Sequence, residues 1–122
     1  MVEKYDLKEL QLVEKAVKLG KTTRGCCEWQ EKAALRVRKD PDCQGLTPEG
    51  IRGHLIDFVT NGGVIRQVVE QREPYRDHRD YYYKAIIPIV GFPRGLFVEI
   101  ILSDDDIELP SVEIVNAHPQ RS

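Results

Sequence analysis

The amino-acid sequence predicts an α+β protein in which three N-terminal helices pack on a C-terminal four-stranded antiparallel sheet. Three observations carry that expectation. Apolar residues recur every three to four positions through the first half of the chain, the helical period. After Gly63 the pattern turns to runs of β-branched and aromatic residues, which favour strands. Short turn-forming links separate those runs, and short links join antiparallel neighbours.

The first helix is expected over about 6–19. Asp6 can cap it, and Glu9 three residues on completes a capping-box pattern. Leu7, Leu10, Val13 and Val17 form its apolar stripe, and Gly20 is a natural stop. A second helix is expected over about 28–39, with Trp29, Ala33 and Val37 on one face and Asp40-Pro41 ending it. The third, about 48–60, has the sharpest start. Thr47 suits the N-cap, Pro48 the first helical position and Glu49 the positive end of the dipole. Ile51, Leu55, Ile56 and Val59 supply its buried face, and Asn61-Gly62-Gly63 closes it.

Strands are expected at about 64–72, 81–90, 96–103 and 111–118. The links are EPYRDHRD, GFPRG and DDDIELP. Both alternating sets of 81–102 are apolar in places, which predicts middle strands covered on both faces. Pro88 removes a ladder hydrogen bond, so its strand should be an edge there or carry a bulge. Beyond His118 the tail is expected to fray.

The chain has 122 residues and reads as one domain, 1–122, long enough to bury a core without disulfides or metal. Its formal charge of −2 gives no global attraction to nucleic acid. The charge is uneven, however. Lys21, Arg24, Lys32, Arg36, Arg38 and Lys39 cluster against Glu28 and Glu31, which reads as a solvated helix face. Three cysteines, Cys26, Cys27 and Cys43, with no apolar leader at the start, point to a reduced, cytoplasmic setting. No apolar run is long enough for a membrane helix, so no membrane association is expected. No metal or cofactor is expected either. Adjacent cysteines make a poor zinc pair, and Asp104-Asp105-Asp106 reads as a turn former and aggregation guard.

Chemistry concentrates in Tyr75-Arg76-Asp77-His78-Arg79-Asp80-Tyr81-Tyr82-Tyr83-Lys84 and in the last strand, which ends at His118. Histidine titrates near neutral pH unaided, arginines clamp phosphate, and aromatic rings stack on bases. His54 falls at the margin of the third helix's stripe and reads as a packing or surface residue. The bland alternative for 75–84 is a loop of mutually satisfied charges followed by tyrosines that fill the sheet. In a simple meander, the 73–80 loop and His118 lie at opposite ends of the sheet, roughly 15–20 Å apart. At most one of His78 and His118 then belongs with Lys84, and His118 is favoured.

The segments GLTPEGIRGHLIDFVTNGG, DYYYKAII and the terminal NAHP give a layout that resembles the RelE/MqsR-like ribonuclease toxins and their barnase/colicin-type relatives, over about 46–119. That resemblance implies a metal-independent endoribonuclease. His118, Lys84 and His78 are the catalytic candidates. Arg76, Arg79, Tyr82 and Arg66 are the candidates for binding RNA. It also implies an antitoxin or other protein partner. The alternative is a non-catalytic module that binds a protein or self-associates as a homodimer.

Overall fold

The computed structural model describes residues 4–121. Helices α1 (Leu7–Leu19), α2 (Glu31–Lys39) and α3 (Pro48–Thr60) lie on one face of a five-stranded sheet. The strands are β1 (Cys27–Trp29), β2 (Arg66–Val69), β3 (Tyr81–Ile89), β4 (Phe92–Asp104) and β5 (Ser111–Pro119), in spatial order β1-β5-β4-β3-β2. The four expected strands form the expected antiparallel meander, but the sheet is mixed. β1 runs parallel to β5, with Cys27 opposite Val112 and Trp29 opposite Ile114. Among the described residues, no helix is long and apolar enough to cross a membrane.

The α1 cap is half of what its sequence suggests. The Asp6 carboxylate accepts the Glu9 amide at 3.1 Å, but Glu9 does not return the bond. Instead the Tyr83 hydroxyl donates to Glu9 at 2.8 Å, and the Asp6 amide donates to Gln67 at 2.7 Å. The reciprocal bond has been traded for a tether between helix and sheet. Val13, Ala16 and Val17 are buried, whereas Leu7 is exposed. Gly20 ends α1 in right-handed geometry. A Cβ there would stand 2.6 Å from Cys27 Cβ, so close packing rather than a left-handed turn demands glycine.

The second helix starts at Glu31, not 28. Residues 27–29 are drawn into the sheet, the Gln30 amide bonds Ile114 O at 2.9 Å, and Trp29 donates to Pro48 O at 2.7 Å. Tertiary pairing overrides the helical spacing of Trp29 with Ala33 and Val37. The third helix begins as expected, with Thr47 Oγ1 accepting from the Gly50 amide at 3.0 Å. Its Ile51, Leu55, Ile56 and Val59 are all buried. Arg52 is also buried and donates to Cys27 O and Gly20 O, both at 2.6 Å. That guanidinium joins α3, β1 and the end of α1.

In the sheet, Tyr81, Tyr83, Ala85, Ile87, Leu96, Val98, Ile100, Val112, Ile114 and Ala117 face the helices and form the core. The opposite set faces outward and, among the described residues, has no helix over it, contrary to the expectation of two covered faces. β2 is only four residues long. Val64 is 68% exposed, and the chain leaves the ladder at Glu70, whose amide bonds Asp80 O at 2.8 Å. Because β2 starts only at Arg66, opposite Lys84, β3 beyond Lys84 has no partner on that side among the described residues, and a register shift against β4 falls between Ile87 and Ile89. Pro88 sits at both, as the missing amide requires. The GFPRG link is a tight turn at Val90-Gly91, with Gly91 at φ 93°, and Phe92 already begins β4. At the C-terminus Pro119 pairs with Leu96, the Gln120 amide bonds Gly95 O at 2.9 Å, and Arg121 reaches Asp42. The tail stays on the sheet to Gln120, and Arg121 is tied to the 41–43 turn instead of fraying. The rest of the expected fraying, at Ser122, lies outside the described residues.

Candidate functional site on the open sheet face

The outward row of side chains is set by register. Arg66 on β2 stands opposite Lys84 on β3, and Lys84 opposite Glu99 on β4, followed by Asn116 on β5. Two residues along lies the row Ile86, Phe97, His118. The strand alternation thus places Arg66, Lys84 and His118 on one face, with Lys84 and His118 Cα atoms about 12 Å apart from strand spacing and rise. The long Lys84 side chain can close much of that gap.

His118 stacks on Phe97, with centroids 4.7 Å apart and planes 21° apart. Its Nδ1 lies 2.9 Å from Pro119 O. A carbonyl only accepts, so Nδ1 donates here, and in the neutral form of the ring it is Nε2 that presents the lone pair. The ring is half-buried and held in one orientation. A cleft of about 490 Å³ opens next to its stacking partner Phe97, walled by Phe58, Gly62, Gly63 and Val64, with Ile86, Phe97 and Gln120 below and Arg66 and Lys84 at its flanks; His118 itself does not line it. Among the described residues, neither cation has a hydrogen bond or an ion pair.

The remaining candidates are engaged elsewhere. Segment 70–80 crosses the end of the outer face as a strap. Arg72 donates to Glu70 at 2.8 and 3.0 Å and to Glu99 at 3.2 and 2.8 Å, and its guanidinium lies 4.0 Å over the Tyr82 ring. Arg79 also donates to Glu70, at 3.0 Å, and covers Tyr75. Arg76 is paired with Glu73. Tyr82 and Arg79 therefore build the strap, and Arg76 is spent on a surface pair. His78 is exposed at the tip of the strap, with its amide bonded to Tyr75 O. The strap joins β3 at Tyr81, five residues and about 17 Å along the strand from the row that holds His118.

Burial by itself would raise the Glu70 pKa. Hydrogen bonds from Arg72 and Arg79 outweigh it and hold the carboxyl below its usual range. The same pairing raises Arg72 further. Glu70, Arg72 and Glu99 were not among the sequence candidates. Glu99 carried the one available signal, a lone carboxylate within the apolar run LFVEIIL.

Tyr81 and Tyr83 point into the core, which leaves Tyr82 as the outward ring of the three. Tyr83 accepts from Gln67 at 2.8 Å as it donates to Glu9, and burial raises its pKa strongly. All three cysteines are free and buried, and burial pushes the Cys27 thiol up to about 11. His54 is exposed on α3. In the acidic turn, Asp104 accepts the Asp106 amide, and Asp106 accepts those of Glu108 and Leu109. Those carboxylates shape the turn. Among the described residues, no three His, Cys, Asp or Glu side chains converge as a metal site. The basic cluster of 21–39 is partly neutralised, Arg24 by Glu28 and Glu49, while Arg36 caps Val115 O.

The fold and site define an α+β protein with a mixed five-stranded sheet, helices on one face, and Arg66, Lys84 and His118 on the other. No protein-family model, curated protein or solved structure matches the chain.

Proposed function

We propose that this chain is a metal-independent endoribonuclease of the toxin type that works on its open sheet face. The observation that supports it most is the sharing of one face by His118, Lys84 and Arg66, with the two cations lining a cleft in which no carboxylate pairs with either. In this reading neutral His118 takes the proton of a ribose 2′-hydroxyl at Nε2. The 2′-oxygen bonds to phosphorus, the bond from phosphorus to the 5′-oxygen breaks, and that oxygen leaves with a proton from the Lys84 ammonium. Arg66 holds the charge that gathers on the phosphate oxygens. His78, Arg76, Arg79 and Tyr82 have no part in the step.

Purified protein incubated with single-stranded RNA at pH 5–9, with and without Mg²⁺, tests this. Cleavage independent of Mg²⁺ is expected, and intact RNA throughout would remove the reading. A second reading, a protein-binding or self-associating module, is favoured by the exposed apolar side chains Val64 and Ile86 in the same cleft, with Val90 exposed in the turn that follows β3. It expects concentration-dependent mass in analytical ultracentrifugation and no effect of His118→Ala on that mass.

A further inference from the structure

We propose that the cleft beside Phe97 is a seat for one nucleotide unit, with its phosphate between Arg66 and Lys84 and its base over the Ile86–Phe97 floor. The inference deepens the RNA reading and rests on it for the class of ligand.

The first support is electrostatic. Like charges directly opposite on paired strands are unfavourable. Arg24, Arg72, Arg76, Arg79 and Arg121 each reach a carboxylate, whereas Arg66 and Lys84 stand opposite one another without one. The nearest carboxylate in the row, Glu99, has both oxygens occupied by Arg72. Within the strap and its neighbours, Glu70 and Glu99 cancel Arg72 and Arg79, so the two unpaired cations set the local field. An anion with several acceptor oxygens satisfies both at once, as phosphate does.

The second support is shape. Gly62 lies at φ 92°, and a Cβ on it would meet nothing within 4 Å, so the wall is open at that position, while Phe58 and Val64 add apolar side chains beside it. The cleft, about 490 Å³, falls within the range of small-molecule sites. Phe97 is braced by His118 and offers a fixed ring beside the cations. A phosphate seat next to an aromatic floor suits a nucleotide whose base is unstacked, and therefore a single strand rather than a duplex.

The test is a two-dimensional amide NMR titration of the full chain with uridine monophosphate, uridine and inorganic phosphate, with a short oligouridylate as the polymeric source. Uridine monophosphate is expected to shift the amides around 62–66, 84–86 and 97, and to bind about tenfold tighter than uridine or phosphate. Arg66→Gln and Lys84→Gln are each expected to weaken it about tenfold, the scale of losing a charged hydrogen bond. Both side chains reach solvent, and the unperturbed core amides of each variant verify its fold. Tighter oligouridylate than monophosphate identifies a backbone seat, and equal affinity identifies a mononucleotide seat; either supports the proposal. Equal binding of uridine and its monophosphate, shifts elsewhere, or an unaffected double Gln variant would overturn it. If nucleotide binds while RNA stays intact, the seat stands and the nuclease falls. If RNA is cut while no nucleotide shifts these amides, the reverse holds.

Discussion

Phe97 and His118, on adjacent strands, stack at 4.7 Å, and the stack lies one row from the Lys84–Glu99 pair. His118 is thereby held on the outer face by its ladder pairing with Phe97, one residue before the end of β5. This makes it separable from folding. Its ring is half-buried, stacks on Phe97 and, among the described residues, hydrogen-bonds only its own neighbour's carbonyl. His118→Ala should cost less than about 1 kcal/mol in urea denaturation, in line with a surface change. It should lower the rate of RNA cleavage by about 10²–10⁴, the range for loss of an acid–base group.

Removing Arg72 should be severe for stability. Glu70 is fully buried and Glu99 nearly so, and Arg72 bonds both. Arg72→Ala leaves two buried carboxylates short of partners. A loss of about 3 kcal/mol is expected, the low end for breaking a buried pair because the Arg72 side chain is itself partly exposed. Urea midpoints of Arg72→Ala and of the conservative Arg72→Lys measure it, with Lys recovering only part because it cannot bridge both carboxylates in one plane.

The strap should also respond to acid. The folded Glu70 carboxyl titrates below its ordinary 4.5. A depressed folded value means its stabilisation is complete above the unfolded pKa and is lost as pH falls through the folded one. Stability should therefore hold from neutrality to about pH 4.5 and decline below it. Glu70→Gln should flatten part of that decline, as read by urea unfolding at successive pH values.

Gly20→Ala tests the packing of α1 on β1. The new methyl would stand 2.6 Å from Cys27 Cβ with backbone behind it. Overpacking of this kind costs about 1–3 kcal/mol. Thermal unfolding should show the loss, and an unchanged midpoint would mean that the end of α1 yields easily.

What was legible in the sequence was whatever is decided locally. Thr47-Pro48 starts α3 because cap chemistry acts within one turn, and Ile51, Leu55, Ile56 and Val59 mark their buried face by period alone. Pro88 announced its edge and bulge through its missing amide. β1 was not legible, because three residues show no period and their partner lies more than eighty positions away. Lys84, Arg66 and His118 were legible as residue types, but their sharing of a face depends on register, and the bulge near Asn116 is part of that register. The contacts of Arg76, Arg79 and Tyr82 were not legible, because the strap folds back on the sheet and pairs them with Glu73, Glu70 and Arg72. The polar composition of 70–80 does not reveal that Glu70 turns inward. Glu99 was readable in principle, since an isolated carboxylate in an apolar strand must find a partner when buried.

The most direct measurement is the end chemistry of RNA exposed to the purified protein in excess EDTA, compared with His118→Ala. The account expects 2′,3′-cyclic phosphate and 5′-hydroxyl ends from the wild type, and almost none from the variant. RNA left intact by the wild type, or cut equally by both, would contradict it.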